Sequence, residues 1–310
     1  VSGFAQYIAR RLGVSLISLL GVSMIVVALV QMLPGDPARV IAGLLASQEE
    51  VDRIRASLGL GEPVVVQYWV FLTNLLQGDL GESARTGRPV LEEIMFRLPA
   101  TLTLAFVGTL IGSVVGVLTG VVASIKRSTK TDYVLSFVSV LGVSIPVYWL
   151  GMMLIILFAV NLRMLPASGA DEPTSIVLPA LTLGAFSMAL VARMTRGSML
   201  EILDQDYVRT ARAKGVRERT VIYKHALRNA FLPVLTVIGL QFGSLLGGAV
   251  LTESVFGWPG IGRLLVDSIF ARDFPIVQGV VMIYAVLLVV VNLTVDLLYT
   301  WVDPRVSYYG

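Results

Sequence analysis

The 310-residue chain has no cysteine, one histidine and only 15% charged residues, and each shortage removes a class of function. Without cysteine there is no disulfide, no thiol nucleophile and no thiolate metal site. The lone His225 excludes a histidine metal cluster and leaves an intramembrane hydrolase without a base at membrane depth. Aromatic residues are 8% of the chain and the net charge is +3, so the clustered charge and stacking rings of a nucleic-acid surface are missing too. What is present is apolar. Hydrophobic residues make up 55% and the mean hydropathy is +0.80, which places the chain among membrane proteins.

At 1.5 Å per residue, an apolar run of about 20 residues crosses a hydrocarbon core of roughly 30 Å. Six runs qualify: residues 12–32, 101–125, 133–162, 175–192, 232–252 and 274–301. Arg10 and Arg11 precede the first, Lys126, Arg127 and Lys130 follow the second, and Arg193 and Arg196 end the fourth. Positive residues stay on the cytoplasmic side, so both termini are expected there. The first run outlasts the roughly 7–15 apolar residues of a cleaved signal, so residues 1–33 are expected to remain as an anchor helix. The expected fold is therefore an all-α integral membrane protein with six transmembrane helices. A large extracytoplasmic insert covers residues 34–98 and a five-helix core covers residues 99–310.

Inside the insert, residues 64–76 are apolar but too short to span. They are expected either to pack against the insert or to lie in the interface with Tyr68 and Trp69 as anchors. The sequence Gly78-Asp79-Leu80-Gly81-Glu82-Ser83 reads as a tight turn in which the acids bond nearby backbone amides. No lysine follows the glycines, as a phosphate loop would require. In the second span Gly108, Gly112, Gly116 and Gly120 line one helix face, the pattern that lets two helix backbones approach in lipid.

Two features of the later spans have two readings each. Ser144 and Pro146 interrupt the third span, either freeing backbone groups for a polar solute or forming an ordinary kink satisfied by a neighbour. Gln241 and Ser244 lie at mid-depth in the fifth span, as pathway residues or as an interhelical hydrogen bond. Residues 253–273 are expected to be an outer loop.

The polar stretch 203–231 stands apart. Arg209, Arg212, Lys214, Arg217, Arg219, Lys224 and Arg228 make it strongly basic, so it cannot lie in lipid and is expected as a cytoplasmic loop. Asp206 is the expected N-cap of a first short helix and Gly215 its left-handed stop, with a second short helix beyond the glycine. Residues 206–214 are too few to hold a helix alone in water, so this piece must be docked. Tyr207, Thr210, Ala211 and Lys214 share one face by their three- and four-residue spacing, while Ala213 adds to its small residues. That face suits a groove on another protein; the competing reading is a basic helix on anionic lipid.

The residues Ala211-Arg212-Ala213-Lys214-Gly215 and His225-Ala226-Leu227-Arg228-Asn229-Ala230-Phe231-Leu232-Pro233 resemble the coupling loop of permease subunits in binding-protein-dependent ABC importers. The narrower resemblance is to the B-type permease of the dipeptide, oligopeptide and nickel branch. It is carried also by Leu33-Pro34-Gly35-Asp36-Pro37, the 78–83 turn, Arg97-Leu98-Pro99-Ala100-Thr101 and Glu253-Ser254-Val255-Phe256-Gly257-Trp258-Pro259-Gly260-Ile261-Gly262. Arg209 and Thr210 depart from the glutamate and alanine of the wider superfamily, so no contact is carried over to Arg209. The resemblance implies a multi-pass protein of the inner membrane that is not itself an enzyme and binds no cofactor. ATP and Mg would sit in two partner ATPases. A homologous C-type permease and an extracytoplasmic solute-binding protein would complete the assembly. Asp206, Tyr207, Thr210, Ala211, Ala213, Lys214, Gly215, His225, Arg228 and Asn229 would couple it to the ATPases. A carrier driven by an ion gradient is the alternative, and would rely on Asp296 near the end of the sixth span.

Overall fold

A computed structural model describes residues 2–32, 37–43, 46–57 and 61–302. The expected motif at residues 33–36 lies outside them. The described residues are helical wherever they are regular, with a single isolated bridge between Glu82 and Pro89. The helices of the first part are α1 (Ser2–Met32), α2 (Pro37–Ala42), α3 (Gln48–Ser57) and α4 (Val64–Leu76). Then come α5 (Val90–Ile125), α6 (Lys130–Ser144), α7 (Val147–Leu154) and α8 (Val177–Leu203). The chain continues through α9 (Asp206–Ala213), α10 (Glu218–Thr220), α11 (Arg228–Phe256), α12 (Ile261–Ala271) and α13 (Phe274–Val302). Among the described residues, five helical segments are long and apolar enough to cross a membrane, and six if the pair α6 and α7, bent by 104°, counts as one span.

Contacts group the chain into two units, Val1–Thr101 with Pro259–Val289, and Leu102–Trp258 with Val290–Gly310. In the first, Val90 and Ile94 of α5, Ile261 of α12, and Ile276 and Val280 of α13 form a buried core, joined by Leu80 from the insert. The four-residue steps within α5 and within α13 put each pair on one helix face. Gly279 completes the fit, since a Cβ there would lie 2.5 Å from Val90 Cγ1. Thr101 Oγ1 accepts the Ile261 amide at 2.9 Å, which satisfies one of the free donors at the start of α12. Helix α4 has no fully buried residue and Trp69 is 65% exposed, while Tyr68, Phe71 and Leu72 are half-buried. Its polar link is between the hydroxyls of Tyr68 and Ser23 of α1, 3.0 Å apart.

In the second unit α8 is the most buried span, with α5, α6, α7 and α11 against it. The glycine face of α5 lies on α8 as expected. A Cβ at Gly112 would be 2.6 Å from Gly184 O, at Gly116 2.8 Å from Met188 O, and at Gly120 2.6 Å from Ala192 O. Gly239 of α11 does the same against Val295 of α13, whereas nothing lies within 4 Å of a Cβ at Gly247.

Three boundaries differ from expectation. The second span does not begin at residue 101. Helix α5 starts at Val90 and carries Pro99 inside it, and at 36 residues it is about 54 Å long, so its first turns extend beyond a hydrocarbon core. Glu92 and Glu93 in that first turn favour the helix N-terminus. Residues 253–273 are not a loop: α11 runs to Phe256, Gly257 (φ 60) stops it, and α12 follows with Ile261, Gly262 and Ser268 buried. The second helix of the polar loop is not separate either. It runs from Glu218 without interruption into α11, through a wider π-type turn at Val221–Leu227 and past Pro233.

Candidate coupling surface

Helix α9 is short because the sequence stops it on purpose at its C-terminal end. The Lys214 amide bonds Thr210 O, the Gly215 amide bonds Arg212 O and the Val216 amide bonds Ala211 O, at 3.0, 2.9 and 3.2 Å. That closure needs a left-handed residue, which Gly215 supplies with φ +75°. Asp206 is not the N-cap. Gln205 is the extended residue before the helix, Asp206 is its first helical residue, and no side chain caps the amides. Asp206 instead sits in the first turn, where a carboxylate favours the helix dipole, and it pairs with Arg209 at 3.3 Å.

Two devices hold α9 in place. Val208 is fully buried beneath it. Across the loop, Asn229 Nδ2 donates to Tyr207 Oη at 2.8 Å and to the His225 carbonyl at 2.9 Å, strapping α9 to the start of α11. Arg212 adds two bonds to Glu218, at 2.9 and 3.3 Å. The segment leading into α11 is itself pinned, because Ile222, Ala226 and Ala230 pack on Val121 of α5 and Met199 of α8. This apolar footing explains why no break occurs there.

The outer surface is basic and small. Tyr207, Thr210, Ala213, Lys214 and Gly215 are exposed and Ala211 is half-buried. Arg228 is exposed and His225 half-buried. Lys214, Arg217, Arg219, Lys224 and Arg228 form no ion pair among the described residues, so their charge faces outward. A helix presented this way is a rigid knob with a cationic rim.

The other expected site residues are not gathered with it. Ser144 ends α6 and donates to Val140 O at 2.9 Å, and Pro146 starts α7 beyond the bend. Gln241 Oε1 is buried with no hydrogen-bond partner among the described residues, and Ser244 is exposed on α11. The 78–83 turn has the expected form. Asp79 accepts the Gly81 amide at 2.8 Å, and Gly78 and Gly81 both have φ +78°. Glu82 takes part in the bridge to Pro89. Ser83 donates its hydroxyl to Asp273, whose carboxylate also accepts the amides of Ala84 at 3.1 Å and Arg85 at 3.4 Å.

Asp273 was not singled out from sequence, nor was the pair of Asp132 and Arg196. Arg196 grips Asp132 with Nε and one terminal nitrogen, both at 2.7 Å, and the same carboxylate accepts the Ser128 amide at 3.0 Å. This bidentate clamp ties the start of α6 to the last turns of α8, just before the coupling surface. The sequence shows only an acid at the head of an otherwise apolar run, which marks Asp132 but not its partner.

Comparison with known proteins decides the family. Residues 108–308 match the binding-protein-dependent transport system inner membrane component, and residues 4–105 match the N-terminal region of the membrane components of such systems. The chain belongs to this family. It is 41% identical to the dipeptide transport system permease protein DppB of Alkalihalophilus pseudofirmus, over 97% of this chain and 99% of that one. It is 45% identical to the glutathione transport system permease protein GsiC of Salmonella choleraesuis, over 98% and 99%. Among solved structures, the inward-facing MetNI methionine ABC transporter matches with a TM-score of 0.58 at 21% identity, over 68% of this chain and 96% of that chain. An amino acid ABC transporter gives 0.53 at 19% identity, over 67% and 93%. These likenesses show the fold of the permease core. The chain is an inner-membrane, multi-pass transport component of the binding-protein-dependent family, not an ATPase.

Proposed function

We propose that this permease forms half of the membrane pathway of an ABC importer for dipeptides, glutathione or other short peptides. The substrate class rests on the names of its relatives. The coupling role rests on α9, a short helix presented with its small, cationic face outward and strapped to α11 by Tyr207 and Asn229. In this reading the loop end of the bundle is cytoplasmic, as are both termini, and the insert faces an extracytoplasmic binding protein. A homologous C-type permease supplies the other half of the pathway, and two ATPases hold ATP and Mg. Their closure moves α9, and the strap and the Asp132–Arg196 clamp pass that movement to α11, α8 and α6 as rigid bodies. Gln241, Ser244, Ser144 and Pro146 are the pathway candidates. No observation favours the ion-gradient alternative.

The test is co-expression with the neighbouring transport genes, purification through this chain, and ATPase assay in lipid. Retention of two ATPases and stimulation by a peptide-loaded binding protein are expected. A chain that purifies without ATPases and moves solute on an ion gradient contradicts the proposal.

A further inference from the structure

A cavity of about 450 Å³ opens between α5, α6 and α8 toward the loop end of the second unit. Its walls are apolar or small: Ala123 of α5, Leu135, Val140 and Val143 of α6, and Ala189 and Ala192 of α8. The three serine hydroxyls that line it are spent within their own helix, and Thr119 of α5 adds one further hydroxyl to the wall. Ser139 donates to Leu135 O at 2.8 Å, Ser144 to Val140 O at 2.9 Å, and Ser136 lies 3.4 Å from Asp132 Oδ1. A serine bonded in this way presents little donor capacity to a ligand.

At the loop end of the cavity stand Arg193 and Arg196. Arg196 is occupied by Asp132, and that carboxylate is filled by Arg196 and the Ser128 amide. Arg193 is exposed and has no acidic partner among the described residues. The cavity therefore has an apolar length and one unmatched cation at one end. A peptide, with an amine and a carboxylate, would want an unpaired acid as well, and this cavity has none to offer.

We infer that this cavity is a phospholipid site, holding an acyl chain along α6 and α8 with an anionic headgroup on Arg193. The inference rests on the proposed orientation only for naming the leaflet, which is then the cytoplasmic one, where anionic lipid draws basic residues. The bound lipid fills the gap left beside the Asp132–Arg196 clamp, so it supports the same elements that carry the coupling movement.

The test measures phosphatidylglycerol retained by the purified transporter complex, by mass spectrometry after washing in neutral detergent. Arg193→Gln is expected to lower retention about fivefold, with Arg193→Lys close to the parent. Gly197→Leu is the second variant. Gly197 lines the cavity and nothing lies within 4 Å of a Cβ there, so the leucine enters the cavity without a backbone clash and displaces the chain. It should lower retention whatever the headgroup, and it decides the matter if Arg193→Gln does not accumulate. Unchanged retention in both variants overturns the inference. So does a raised KM for peptide with lipid unchanged, which would assign Arg193 to substrate, or loss of the partner permease with lipid unchanged, which would assign the cavity to a protein contact. Retention is read in detergent and is independent of transport, so an error in the importer reading or in its orientation would not alter this result.

Discussion

Arg196→Gln is expected to cost about 3 kcal/mol of stability, seen as a fall in thermal midpoint and in the yield of the purified complex. The reason is asymmetric. The Asp132 side chain is 4% exposed and would be left as a buried charge with only the Ser128 amide and the longer Ser136 hydroxyl bond, whereas Arg196 keeps 32% of its own surface in contact with its surroundings. Breaking a buried pair from one side typically costs about 3–5 kcal/mol, and the partial exposure of Arg196 places this pair at the low end. Asp132→Asn should therefore cost less than Arg196→Gln. The double variant Asp132→Asn/Arg196→Gln should recover more than half of the larger loss, because it removes the stranded charge together with its partner. Equal and additive losses would mean that the two side chains do not act as a pair.

Gly120→Val should prevent accumulation of the folded chain. A Cβ at that position would lie 2.6 Å from both Ala192 O and Thr195 Cβ. Neither atom belongs to the movable end of a side chain, so relief requires α5 and α8 to part. Overpacking of this kind costs about 1–3 kcal/mol or more, and a valine adds two methyl groups beyond the first clash. Separation would also open the footing of the coupling surface, since Val121 of α5 and Met199 of α8 lie under Ile222, Ala226 and Ala230. Gly248→Ala is the matched control, because nothing lies within 4 Å of a Cβ there. Normal yield of Gly120→Val in a detergent screen would contradict the close seam.

What could be read in the sequence follows from the range of the interactions. The α5 seam was legible because close approach imposes glycine at a fixed four-residue period on one helix. Gly215 was legible because the stop of α9 is built from residues within a few positions of one another. The extent of α5 was not, since a proline suggests a boundary, yet Pro99 is carried inside the helix. Helix α12 carried an amphipathic pattern at Ile261, Leu264, Leu265 and Ser268, but the Trp258-Pro259-Gly260 breakers before it read as loop. The anchors of the site were the least legible. Asp132 meets Arg196 from 64 positions away, and Ser83 meets Asp273 from 190. No local pattern encodes such pairs; only the fold brings them together.

Helix α9 is read as a docked element that carries force, and Gly215→Val is the variant that bears on this first. A β-branched residue held at φ +75° is strained by about 1–3 kcal/mol, enough to loosen the end of a helix this short while leaving the spans untouched. The measurement is peptide taken up per ATP hydrolysed by the reconstituted complex with its binding protein. The Gly215→Val complex is expected to assemble in part and to hydrolyse ATP, while the ratio of uptake to hydrolysis collapses. A ratio equal to that of the parent would contradict it.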